Sequence, residues 1–186
     1  MEYVIPVCGN QVKRMKIMIN WCAVFVMTLS LIGCGGAQTR GGGGSKVTPV
    51  SAIAIQPGTG VAGDALAIEL FNRGFNVVDP NQTASILGNV GLTEFEITTK
   101  QAFAALSDRG IDAVLTVRVV NGYDNKPQSM SARVTSTITG SILAGATWEN
   151  GWGGAQGSPA DAFMRSDLGD AAEEVVDAIS KQLSPR

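Results

Sequence analysis

Between Ile53 and Asp79 the chain reads IAIQPGTGVAGDALAIELFNRGFNVVD. Gly58, Gly60 and Gly63 stand in G-x-G-x-x-G spacing between a strand-like run and a helix-like run, with the acid Asp79 at the far end. Glycines so placed let a strand turn tightly into a helix whose first amides face a pyrophosphate, while an acid further on takes a ribose hydroxyl. The chemistry would be nicotinamide or flavin binding. Ala67, Leu70, Gly74 and Val77 also fall where such a βαβ unit puts its helix and second strand.

The same letters have a reading without a ligand. Asp79 follows Gly74 too closely to lie at the tip of a long second strand. Pro80 and Gln82 come next, the pattern of a helix start with Asp79 as N-cap, Pro80 at N1 and Gln82 at N3. Gly58 and Gly60 then make a turn and Gly63 permits close packing. No Lys follows, so the loop is not a P-loop. This scaffold reading is preferred and no cofactor is expected. Gly58, Gly60, Gly63 and Asp79 remain the candidates for the dinucleotide alternative.

Other catalytic chemistry has little to work with. The 186 residues include no His and three Cys, at Cys8, Cys22 and Cys34. Ser-His-Asp and Cys-His arrangements are therefore excluded, and so is the commonest metal ligand. Glu94 with Glu96, and Asp167 with Asp170, are spaced like paired carboxylates but read as solvated surface acids. The expectation is a protein that is not an enzyme and holds no metal.

The first 34 residues carry an address. Lys13, Arg14 and Lys16 precede a mostly apolar run from Ile17 to Ile32, broken by Asn20, Thr28 and Ser30. The run is short for a spanning helix, which needs roughly 20 apolar residues. It ends in small residues that mark processing. Met15 alone would give a compact signal, so Met1 and Met15 both stand as starts. The letters Leu31-Ile32-Gly33-Cys34 resemble the lipobox of bacterial lipoproteins. That resemblance implies cleavage before Cys34, whose thiol then carries the lipid (a diacylglycerol, with acyl chains such as palmitate). Gly35 in place of an Asp implies an outer-membrane address facing the periplasm. Free NAD(P)H is scarce there, which also weighs against the dinucleotide alternative.

The chain then divides into a signal peptide at 1–33, a lipidated Cys with a Gly-rich tether at 34–46, and one domain at 47–186. The tether, with Gly35-Gly36 and Gly41 to Ser45, cannot bury apolar surface. The whole chain has 14 Lys+Arg against 16 Asp+Glu. Three of the basic residues leave with the signal, so the remainder is more acidic still. No basic stripe points to nucleic acid.

Periodicity within the domain predicts a strand over 50–56 and a helix over 61–73 with Leu66, Ile68, Leu70 and Phe71 on a broad apolar side. A short strand follows at 75–78 and a short helix ends near Gly88. A helix capped by Thr98 or Thr99 carries Ala102, Phe103 and Leu106, and Ile111 to Val120 reads as a buried strand. Met130 to Trp148 alternates as a hairpin around Thr139-Gly140-Ser141, and Asp161 to Leu183 is a long helix. The order β-α-β-α-α-β-β-β-α is an α/β (α+β) fold, a mixed sheet flanked by helices.

This run of elements, with IAI-P, FNVVD, RGIDAVLTVRV and TGSIL, resembles envelope lipoproteins related to the curli secretion channel (CsgG-like). That group includes outer-membrane lipoproteins that activate peptidoglycan synthases. The resemblance implies a domain like the anticodon-binding or TolB N-terminal fold, and a role in partner binding or assembly. A pore subunit is the second alternative, with the 130–148 hairpin as its membrane element. The partner would be a protein of the cell envelope; oligomerisation is left open. Trp148 and Trp152 flank Glu149-Asn150-Gly151 and form the candidate partner-docking spot. Of the two, Trp148 has the parity of the apolar face and is expected to fold back, leaving Trp152 to meet the partner.

Overall fold

The computed structural model describes residues 49–151, 157–159 and 165–184. Cys34, the Gly-rich tether and Trp152 lie outside these residues. The elements are β1 (Ala52–Ile55), α1 (Gly60–Asn72), β2 (Asn76–Val78), α2 (Pro80–Gly88), a 3-10 turn (Glu94–Glu96), α3 (Lys100–Ser107), β3 (Ala113–Asn121), β4 (Pro127–Ser136), β5 (Ile142–Glu149) and α4 (Leu168–Leu183). This is the expected order of an α/β mixed-sheet domain.

The five strands lie in the order β2-β1-β3-β4-β5. β1 runs parallel to both neighbours, and β3, β4 and β5 are antiparallel. Every residue of β1 is buried because both faces of the sheet are covered there. Ile53 and Ile55 pack with Leu66 and Leu70 of α1 and with Val175, Val176 and Ile179 of α4. Ala54 and Val114 pack on the other face with Leu87 of α2 and Ala102, Phe103 and Leu106 of α3. A strand covered on both faces reads as a continuous apolar run, as IAI does. Each large side chain so buried contributes roughly 1.5–3 kcal/mol.

The α2–α3 layer does not reach across the whole sheet. On its face, the later half of β3 and most of β4 and β5 present Thr116, Arg118, Ser131, Arg133 and Thr147, none of them buried.

Three expectations are corrected. In α1, Leu66 and Leu70 are buried, but Ile68 is 61% exposed and Phe71 70% exposed, with Val61 also outward. The helix is apolar nearly all round, so its sequence alone does not say which side meets the sheet. Second, α4 starts at Leu168 rather than at Asp161: Arg165 to Asp167 are not helical. Asp167 is the N-cap, and its carboxylate accepts from the Asp170 amide at 3.0 Å. Third, the β4–β5 connection is longer than Thr139-Gly140-Ser141, spanning 137–141, with a register shift between Val134 and Thr135. Met130, Ala132, Val134, Ala144, Ala146 and Trp148 still share the buried face, while Ile138 and Ile142 are exposed.

Candidate functional site

The glycine turn joins β1 to α1 as the sequence predicts. Gly58 and Gly60 both have positive φ, 75° and 55°, which L side chains rarely adopt. A Cβ on Gly63 would lie 1.9 Å from Thr59 Oγ1 and 3.5 Å from Ile55 Cγ2, so this position has no room for a side chain. Thr59 itself donates to the Gln56 carbonyl at 2.9 Å rather than capping the helix.

What stands against the turn is an acid. A Glu94 carboxylate oxygen lies 3.1 Å from the place a Gly58 Cβ would occupy. It brings negative charge to the ground a phosphate would need. Asp79, at the end of β2, accepts from the Asn81 and Gln82 amides at 2.8 and 3.0 Å, so it serves as the N-cap of α2.

Of the two carboxylate pairs, Glu96, Asp167 and Asp170 are engaged in helix starts. Glu96 accepts from the Thr93 amide at 2.9 Å and the Thr93 hydroxyl at 2.8 Å, and these bonds hold it below the usual carboxylate range. Asp167 and Asp170 cap reciprocally. Among the described residues, no group of three or more His, Cys, Asp or Glu side chains could hold a metal.

At the other end of the sheet lies the tryptophan end of β5. Trp148 is 1% exposed, with its ring in the core beside Met130, its cross-strand partner. Its indole N–H donates to Glu174 Oε2 on α4 at 2.9 Å. The docking role assigned to Trp148 is therefore corrected: a partner cannot reach its ring in this fold. It folds back on the sheet, as its parity implies. Next to it, the Asn150 side chain donates to the carbonyls of Pro127 and Ser166 at 2.7 and 3.0 Å and accepts from the Ser166 amide at 3.0 Å. Arg165 sits over the Tyr123 ring, 5.5 Å from its centroid, and pairs with Asp124 at 3.4 Å. A Cβ on Gly122 would lie 2.3 Å from its guanidinium. The β3–β4 turn, the end of β5 and the start of α4 are thus bound into one unit.

The sequence reading passed over Arg118 and Arg133. Both are exposed, and neither has an ion pair or side-chain hydrogen bond among the described residues. The signal was present: each sits between apolar residues, in TVRVV and SARVT, where strand alternation turns it outward.

No protein-family model and no curated protein matches the chain. Solved structures do. A PelC dodecamer from Paraburkholderia phytofirmans aligns at a TM-score of 0.45 and 16% identity, over 81% of this chain and 99% of that one. The LpoB C-terminal domain from Escherichia coli aligns at 0.44 and 18% identity, over 59% of this chain and 89% of that one. Lipoprotein GNA1162 from Neisseria meningitidis aligns at 0.44 and 21% identity, over 59% and 87% respectively.

Proposed function

We propose that this chain is a non-enzymatic lipoprotein of the cell envelope, anchored through Cys34 in the outer membrane and facing the periplasm, whose sheet domain docks a protein partner. The observation that carries the reading is Leu31-Ile32-Gly33-Cys34 at the end of an apolar run, followed by a Gly-rich stretch that leads to β1 at Ala52. A Gly-rich sequence of that length would span roughly 20–25 Å if it behaved as a random coil, short enough to keep the domain near the bilayer.

The chemistry of the domain supports binding over catalysis. Asp79, Glu96, Asp167 and Asp170 serve helix starts, the chain has no His, and Glu94 sets negative charge against the glycine turn. The hairpin of β4 and β5 supports a soluble role over a pore. One of its faces is covered by α4, and the other carries Ser131, Arg133 and Thr147 where a membrane strand needs an apolar band. Trp152 is the aromatic proposed to meet the partner.

The test is processing and fractionation. Wild-type chain is expected in the outer-membrane fraction, and globomycin should accumulate the precursor. Cys34→Ser should remain unprocessed. Normal processing of that variant would refute the anchor. Trp152→Ala is expected to weaken crosslinked partner capture without changing the melting temperature.

A further inference from the structure

We infer that the bare sheet face around Arg118 and Arg133 is a docking surface for an extended, acidic polypeptide segment of a partner protein. Arg118 on β3 is paired with Ser131 on β4, and Arg133 on β4 with Thr116 on β3. The two arginines are therefore diagonal neighbours on one face, with Cα atoms roughly 7–8 Å apart. Acids two apart on an extended chain are separated by roughly 6.6–6.8 Å, so two carboxylates of one strand can meet both guanidiniums. Guanidinium recognises carboxylate through parallel hydrogen bonds, and among the described residues neither arginine here has an ion pair with an acid.

The floor between them is short and polar. Thr116, Ser131 and Gly145 are short, so they leave the arginines standing above it. Glu149 shares this face but is paired with Ser129, further along the hairpin. Among the described residues paired on this face none is aromatic, so they offer no stacking platform for a sugar or a base.

A lipid surface fits less well. The chain enters the domain at Ser51, which is bonded to Asp112 at the start of β3. Arg118 lies in the later half of β3, away from the end that the tether holds. The charge of the chain as a whole is slightly negative, 14 basic against 16 acidic residues, so a pair of unopposed arginines is a local feature. The inference gives the chemistry of the partner that the docking reading requires; it does not depend on the lipid anchor.

The experiment uses the full chain in neutral detergent and a fluorescent peptide of alternating Glu and Ser, followed by anisotropy. The expected result is binding that weakens as salt rises and is roughly tenfold weaker for Arg118→Gln/Arg133→Gln, the size of losing two exposed ion pairs. Arg109→Gln, an exposed arginine beyond α3, should bind as wild type. Circular dichroism confirms that each variant is folded. Equal binding by the double variant, or no binding by wild type, would overturn the proposal. So would capture by phosphatidylglycerol vesicles through these arginines with no peptide binding. Crosslinking in cells separates the two claims. A double variant that still captures the wild-type partner removes this face while docking stands, whereas a wild type that captures nothing removes docking itself.

Discussion

The side-chain amide of Gln182 closes on the backbone of Gly145 from both sides. Its Nε2 donates to the Gly145 carbonyl at 2.9 Å, and the Gly145 amide donates to its Oε1 at 3.2 Å. Gly145 lies on β5, the outer strand of the sheet, so the amide imitates the next strand at that point. Unpaired edge backbone is a template for association with another chain, and proteins cover it by such means. Gln182→Ala should lose about 1–2 kcal/mol of stability and speed amide exchange at Gly145. It should also promote concentration-dependent association, read by sedimentation. Unchanged exchange at Gly145 would show that the clamp does not hold in solution.

Trp148 ties β5 to α4 in the same way, by packing and by one bond to Glu174. Trp148→Ala leaves a large cavity and should cost about 3–5 kcal/mol. Trp148→Phe fills much of the space but leaves Glu174 without the indole donor, and should cost less than the alanine variant. Urea melts of the two variants check the order. A small effect of Trp148→Ala would place the ring outside the core.

The contrast between these contacts and the helix caps shows what could be read in advance. Asp79 and Thr99 cap helices through bonds to amides two or three residues on, so a short run of letters contains the whole interaction. Gly74 ends α1 with a φ of 87°, also a local matter. Gln182 on Gly145, Glu94 on Gly58 and Arg165 on Gly122 join distant parts of the chain, and no spacing rule announces them. The facing of α1 failed for a related reason. Ile68 and Phe71 are as apolar as Leu66 and Leu70, and only the placement of the sheet and of α4 decides which pair is covered. The start of α4 was ambiguous because Asp161 and Asp167 are both plausible caps by type, while only Asp167 has its acid partner three residues on.

Gly63 separates packing from ligand binding. Adding a methyl group there drives it into the Thr59 side chain, so Thr59 and the turn that holds it must move. Gly63→Ala should destabilise the protein by about 1–3 kcal/mol with no ligand present. Thr59→Gly in the same chain removes the clashing side chain and should recover part of that loss. Thermal melts of the single and double variants decide the matter. Full stability of Gly63→Ala would mean that the glycine is not there for packing.

Asp112 gives the fold a dependence on pH whose sign can be worked out. Burial alone would raise its pKa. Hydrogen bonds to its Oδ2 from the Ala52 amide at 3.0 Å, the Ser51 amide at 2.8 Å and the Ser51 hydroxyl at 2.9 Å outweigh burial and hold it below the ordinary value of 3.8. Near that value the unfolded chain then binds more protons than the folded one. The contribution is fully present above the unfolded pKa and is lost as pH falls through the folded one. Asp177, held low by its bond to Arg73, and Glu96, held low by Thr93, act with the same sign. Stability should therefore be flat near neutrality and drop below about pH 4. Asp112→Asn keeps the shape but accepts these bonds without charge. It should lower stability at pH 7 and shrink the difference between pH 7 and pH 3. Urea denaturation at both values measures this. An equal acid loss in wild type and Asp112→Asn would show that Asp112 is not one of the groups responsible.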